Sequence, residues 1–200
     1  MTDTIAVRLP ALPVGPLGRR SLGWWGMICT IGTEAAIFVY LLFSYAYLAV
    51  QPHPEWLPEG PPSLALALPN TVVLLASSFT AAWAERRMKD GAARHTVLGL
   101  MATIGLGTLF VVVQLFEWHN KTFGITSSSY GSLYFTITGF HMAHVVAGLL
   151  MLAALTVWTW RGLFDSRRNA PISIGVIYWH FVDVVWLAVF FAFYISPRLV

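Results

Sequence analysis

The chain has 200 residues, of which 57% are hydrophobic and 10% charged, and its formal net charge is +3. So apolar a composition excludes an ordinary soluble domain and indicates an integral membrane protein. The basic residues stand in short stretches between apolar runs, so the positive charge reflects membrane topology and predicts no binding of nucleic acid.

Five apolar runs follow one another at about residues 22–50, 70–88, 96–117, 131–160 and 172–195. Each has about the 20 residues that are needed to cross a hydrocarbon core about 30 Å thick. Lipid offers the backbone no hydrogen-bonding partner, so each run is predicted to be an α-helix. The expected fold is all-α, a polytopic bundle of five transmembrane helices. It forms one membrane domain, residues 21–200, after a tail of residues 1–20.

Basic residues orient the predicted helices. Ten of the twelve fall on one side of the membrane: Arg8, Arg19, Arg20, Arg86, Arg87, Lys89, Arg94, Arg161, Arg167 and Arg168. Only Lys121 and Arg198 fall on the other. By the positive-inside rule, we expect the N-terminus in the cytoplasm and the C-terminus outside. The tail resembles neither a cleavable signal peptide nor an organelle transit peptide, which favours the inner membrane of a bacterial cell.

Two loop segments predict how helices begin. Pro69 is suited to a position just inside the start of the second helix, with residues 64–68 along the membrane interface. The run Thr126-Ser127-Ser128-Ser129 precedes the fourth helix and supplies several candidate N-caps, because each hydroxyl can accept a bond from a free helical N–H. The sequence does not choose among them.

Ionisable side chains occur within three predicted spans, where they are costly unless they turn toward protein. Glu34 lies about midway along the first helix. His141 and His144 lie three residues apart on the fourth, so both imidazoles project from one side of that helix. His180 and Asp183 have the same spacing on the fifth. For Glu34 two readings stay open, a packing residue or a site on a proton path or partner contact.

Two interpretations account for these five groups together. The histidines and Asp183 could ligate iron, copper or zinc, or two histidines could hold a haem. Membrane metalloenzymes commonly use more histidines, placed toward the cytoplasmic helix ends, so we favour a buried polar network of Glu34, His141, His144, His180 and Asp183 that ties helices together. Gln114 and Glu117, near the end of the third helix, could join its edge. We predict neither a catalytic residue nor a metal ligand on this chain.

Several motifs together resemble a known family. They are Trp25-Gly26-Met27 with Glu34, Leu68-Pro69-Asn70-Thr71, Gln114 with Glu117, Tyr130-Gly131-Ser132, the run from Thr138 to Val145 with Gly148, and the run from Tyr178 to Trp186. In this order and spacing, over about residues 21–195, the chain resembles subunit III of the haem-copper oxidases, the cytochrome c oxidase and quinol oxidase family. Larger members have seven helices and hold lipids in a cleft. The chain looks like the shorter bacterial form with five helices, so a bound phospholipid is a hypothesis.

The resemblance implies a non-catalytic subunit of a proton-pumping terminal oxidase in aerobic electron transport. Haem and copper would lie on subunits I and II, and this chain would stabilise subunit I and support proton uptake. The implied partners are subunits I and II, membrane lipids and other respiratory complexes. Three alternatives stay open: a subunit III-like partner of a nitric oxide reductase, a membrane metalloenzyme that uses the histidines, and a small proton-coupled transporter.

Overall fold

The computed structural model describes residues 21–51, 56–57, 60, 62–166 and 168–199. The predicted tail, residues 1–20 with Arg8, Arg19 and Arg20, lies outside the described residues. So does Arg167 in the fourth loop.

The five predicted helices are present, and within the described residues there is no strand. They are α1 (Leu22–Ala49), α2 (Leu64–Lys89), α3 (Ala93–His119), α4 (Ser129–Trp160) and α5 (Ala170–Phe190). The path of α5 continues through a π-helical turn, Phe191–Ile195, and a 3-10 turn, Ser196–Arg198. All five are long and apolar enough to cross a membrane. The all-α, five-helix prediction is therefore confirmed, and the orientation of the termini stays a prediction.

The start of α2 differs from the sequence prediction. The helix begins at Leu64 rather than near Asn70, so Pro69 lies inside it. Ser63 is the N-cap, and its Oγ accepts a bond of 3.2 Å from the backbone N–H of Ala65. Proline has no N–H to bind the carbonyl four residues earlier, so one helical bond is lost at Pro69. The apolar turn before it is nevertheless helical.

The start of α4 resolves a choice that the sequence left open. Ser128 is the N-cap, because its Oγ accepts a bond of 3.0 Å from the N–H of Gly131. Ser127 instead accepts from the N–H of Gly124 at 2.8 Å and closes the preceding turn. Neighbouring serines with the same chemistry thus stabilise different segments.

Helices α2, α3, α4 and α5 pack as a ring. Each contacts the next in the chain, and α5 returns to contact α2. The first helix lies outside this ring against α4 and α5. As a consequence α1 is the least buried of the five spans. Its contacts decide where Glu34 points.

Trp179 of α5 lies at the centre of the ring and is fully buried. Its indole Nε1 donates a bond of 2.9 Å to Ser77 Oγ on α2. Its ring lies against Gly107 of α3 and Gly148 of α4, where an added Cβ would stand 2.7 Å and 2.9 Å from ring carbons. Trp179 therefore contacts all three other helices of the ring, and the two glycines are required by its bulk.

Candidate functional site

Glu34 and His144 form a hydrogen-bonded pair between α1 and α4. Glu34 Oε2 lies 3.1 Å from His144 Nε2, and His144 Nδ1 lies 2.7 Å from the carbonyl oxygen of Phe140. The phenyl ring of Phe38, itself buried, covers the imidazole with ring centroids 5.1 Å apart. The Glu34 side chain is 32% exposed and that of His144 14%. The pair therefore lies in the groove between the two helices, with its carboxylate at the surface of the chain.

The geometry of this pair determines how many protons it holds. A carbonyl oxygen can only accept, so His144 Nδ1 must carry the hydrogen in its contact with Phe140. In a neutral imidazole Nε2 then has no hydrogen and can only accept. The contact with Glu34 consequently needs one additional proton, either on the carboxyl group or on the imidazole. Glu34 and His144 can share and exchange that proton.

His180 and Asp183 of α5 are joined through a serine on α2. Ser78 Oγ lies 2.8 Å from His180 Nδ1 and donates a hydrogen bond to Asp183 Oδ2. Because its hydroxyl hydrogen is directed to the carboxylate, Ser78 accepts from His180, whose Nδ1 therefore carries a hydrogen. The sequence analysis did not identify Ser78 as a member of this site. No spacing rule identifies it, since its partners lie more than a hundred residues later.

His141 lies apart from both pairs. It is only 1% exposed, and neither ring nitrogen has a hydrogen-bonding partner within the described part of the chain. Its ring meets Phe110 edge-on, with centroids 5.9 Å apart, and lies against Trp186 at 5.0 Å. Residues three apart on a helix differ by about 60° in direction, which lets His144 point toward α1 while His141 points into the ring.

Glu117 and Gln114, the predicted edge of the network, are both buried near the end of α3. Glu117 Oε1 accepts bonds from the hydroxyls of Tyr194, at 2.6 Å, and Tyr134, at 3.4 Å. Lys121 Nζ lies 3.6 Å from the same oxygen. This cluster joins α3, α4 and the π-helical turn after α5. The two tyrosines are additional members that the sequence analysis missed.

The ionisable groups predicted as one network thus fall into separate sites. Glu34 is bonded to His144, and His180 is linked to Asp183 through Ser78, but within the described residues no hydrogen bond connects these pairs or reaches His141. The physical reason is the position of α1 outside the ring. Among the described helices α1 packs mainly against α4 and α5, and Glu34 meets His144 there, whereas Ser78 lies where α2 meets α5.

The part of the chain that the structure describes contains no set of side chains arranged to bind a metal ion. There, no group of three or more His, Cys, Asp or Glu side chains is placed to hold a metal ion. Protein metal sites commonly use three or four such ligands around one point. The pairs described above offer two such side chains at most: Glu34 and His144 bond to each other, and His180 and Asp183 both bond to Ser78.

Comparison with known proteins identifies similar chains. The family model described as cytochrome c oxidase subunit III matches residues 19–197. A cytochrome c oxidase subunit 3 from Loxodonta africana is 35% identical over 186 residues, which cover 90% of this chain and 71% of the relative. Proteins of the same name from Coturnix japonica and Lumbricus terrestris are 33% and 34% identical over 177 residues, or 85% of this chain and 68% of each relative.

Proposed function

Because the chain belongs to the cytochrome c oxidase subunit III family and is a non-catalytic subunit III of a haem-copper oxidase, we propose that it stabilises subunit I and supports proton uptake. The complex would be a proton-pumping terminal oxidase of aerobic electron transport, with haem and copper on subunits I and II. The chain itself would hold neither. The nitric oxide reductase, metalloenzyme and transporter alternatives receive no support from the similar proteins.

The Glu34–His144 pair is the observation that carries the part in proton uptake. It lies about midway along α1 and needs one exchangeable proton to form its bond. A carboxylate that is 32% exposed at this depth would be costly against lipid, so its open side is suited to contact with another polypeptide or with water. Such a pair can accept and release a proton next to a partner subunit without a change of fold.

The proposed setting is the inner membrane of a bacterial cell, with the N-terminus in the cytoplasm. The one-sided distribution of Lys and Arg supports this orientation. Large apolar side chains on the outer faces of α1 fit contact with subunits I and II, with other respiratory complexes or with lipid. An apolar cavity of about 850 Å³ between the C-terminal end of α1 and the end of α5 would suit the acyl chain of a bound phospholipid.

Replacement of Glu34 in the assembled oxidase tests the proposal. We expect both Glu34→Ala and Glu34→Gln to slow proton uptake and to reduce the number of turnovers before inactivation. Neither replacement side chain can hold the proton that Glu34 shares with His144. Thr33→Ala is the matched control, since the Thr33 hydroxyl is exposed and bonds to Thr30 of the same helix at 2.8 Å. Wild-type turnover, lifetime and proton uptake in both Glu34 variants would reduce the pair to a packing role.

Purification through this chain tests the assignment to a complex. The proposal expects a haem-bearing partner to co-purify, whose optical spectrum would report the type of oxidase. A transporter would purify alone, and a metalloenzyme would retain iron, copper or zinc on the separated chain. Isolation of the chain without any haem protein, from membranes that contain the oxidase, would contradict the proposed function.

A further inference from the structure

Four aromatic side chains form a continuous row at the end of the bundle where α1 and α3 terminate. Trp56, between α1 and α2, is half-buried and lines the apolar cavity beside the end of α1. Its ring centroid lies 5.7 Å from that of Tyr130, whose ring stacks on Tyr134 at 6.2 Å. The Tyr134 hydroxyl in turn lies 3.2 Å from that of Tyr194. This aromatic row therefore joins the wall of the cavity to two fully buried phenols.

The buried end of the aromatic row is a phenol bonded to a carboxylate. The Tyr194 hydroxyl donates to Glu117 Oε1 at 2.6 Å, a distance at which a proton passes directly from donor to acceptor. Because the single hydroxyl hydrogen of Tyr194 is directed to Glu117, the Tyr134 hydroxyl is the donor in its contact with Tyr194. The Tyr194 oxygen thus keeps a hydrogen-bond donor when its own proton moves to Glu117.

Glu117 offers more than the packing of two tyrosines requires. An amide oxygen in its place would accept from both hydroxyls, whereas a carboxylate is also a base that can take up a proton. Lys121 Nζ lies 3.6 Å from Glu117 Oε1, and its side chain is only 10% exposed, so a positive charge balances the buried carboxylate. The site therefore combines a phenol with a proton acceptor in one hydrogen bond.

The backbone of α5 changes its geometry where it supplies this phenol. Tyr194 lies in the π-helical turn Phe191–Ile195, and its hydroxyl reaches Glu117 of α3 from there. Single π-helical turns are rare and occur frequently at functional sites. This local departure from the α-helix is a second observation, independent of the ring contacts, that indicates a functional role for the buried phenol.

We propose that the aromatic row and Glu117 protect the chain from lipid peroxyl radicals by moving an oxidised state from Trp56 to Tyr194. A peroxyl radical on an acyl chain at the cavity takes one electron from the Trp56 indole and one proton from water, and becomes a hydroperoxide. The oxidised indole then takes an electron from Tyr194 through the rings of Tyr130 and Tyr134. At the same time the Tyr194 phenol proton passes to Glu117 Oε1.

Electrons and protons balance in this sequence. The peroxyl radical gains one electron and one proton, Trp56 loses one electron and regains it, and Tyr194 loses one electron and one proton. The proton from Tyr194 resides on Glu117, and the radical resides on Tyr194. The electron moves in this direction because an indole radical cation is a stronger oxidant than a phenol whose proton has an acceptor. The radical is thereby held where the structure shields it from lipid, since Tyr194 is fully buried.

Exposure of the assembled complex to peroxyl radicals tests the proposal. The complex is placed in lipid nanodiscs with a lipid-soluble azo compound, which releases these radicals on warming, and oxidation products at Trp56 are measured by mass spectrometry. We expect the products to increase at least about tenfold in the double variant Tyr134→Phe and Tyr194→Phe, because proton transfer to a positioned base contributes about a hundredfold or more to a rate. Tyr47→Phe is the matched control, since it removes an exposed phenol on α1 and should leave Trp56 oxidation unchanged.

An isotope effect separates loss of electron transfer from a mere change in access to Trp56. After equilibration in heavy water, transfer of the Tyr194 deuteron to Glu117 is slower, so the wild type should accumulate more Trp56 products than it does in ordinary water. The double variant should lack this increase, because it has neither phenol. The test measures no oxygen reduction, so its failure leaves the subunit assignment intact.

Two outcomes would overturn the proposal. One is equal Trp56 oxidation in the wild type and the double variant. The other is equal oxidation of the wild type in heavy and ordinary water, a result that decides against the proposal even where the double variant does not assemble.

Discussion

Two glycines on α3 provide a direct test of the packing around Trp179. An alanine Cβ at Gly107 would stand 2.7 Å from Trp179 Cη2 and 2.8 Å from Leu149 Cδ2, well inside van der Waals contact. At Gly105, two residues earlier on the same helix, nothing lies within 4 Å of the added Cβ. The two substitutions are chemically identical and differ only in what the new methyl group meets.

Their difference isolates the energetic effect of the clash. Replacing glycine by alanine inside a helix stabilises it by about 1 kcal/mol through backbone entropy, and this gain is common to both variants. Forcing an extra methyl group into a packed core costs about 1 to 3 kcal/mol. Gly105→Ala should therefore be as stable as the wild type or more so. Gly107→Ala should be less stable than Gly105→Ala by about 1 to 3 kcal/mol.

Unfolding of the purified chain in mixed micelles measures this difference. Both variants are titrated with denaturing detergent under the same conditions, and Trp fluorescence reports the loss of the buried indole environment. Equal unfolding midpoints for Gly105→Ala and Gly107→Ala would show that Trp179 does not pack against α3 as described. The role assigned to Trp179 at the centre of the ring would then be wrong.

Two further predictions concern the cluster at the end of α3 and the loop before it. Glu117→Gln keeps an acceptor for the Tyr194 hydroxyl but removes the charge facing Lys121. It should therefore destabilise the chain by about 2 kcal/mol in the same detergent titration. An unchanged unfolding midpoint would mean that Glu117 is neutral in the wild type. Gly91→Ala should lower the free energy of unfolding by about 1 kcal/mol, because Gly91 has a φ of 78° and a Cβ there strains the left-handed backbone. No clash adds to this cost, since the nearest atom to the added Cβ would be 3.9 Å away. A stable Gly91→Ala variant, measured by thermal unfolding against Gly105→Ala, would exclude that strain.

The sequence predicted the helices themselves more accurately than it predicted which side chains of different helices are in contact. His180 and Asp183 were expected to interact because they lie three residues apart, and the structure links them through Ser78 of a different helix. Glu117 lies near a helix end, where a carboxylate could reach solvent, yet two tyrosines and a lysine enclose it. Spacing along one helix reports which side chains share a face, but not which helix that face meets.

The amino-acid sequence alone determined the number and type of helices and the family. Each span must satisfy its own backbone in lipid, so length and apolar content suffice to identify it, and the family motifs are local in the chain. Only the tertiary structure decided how the buried polar groups are divided. It places α1 outside the ring of α2 to α5, so Glu34 bonds to His144, Ser78 joins His180 to Asp183, and His141 packs alone. The choice of partner depends on side-chain packing between helices far apart in the chain, where small residues such as Gly107 and Gly148 admit Trp179 and set the distance of approach.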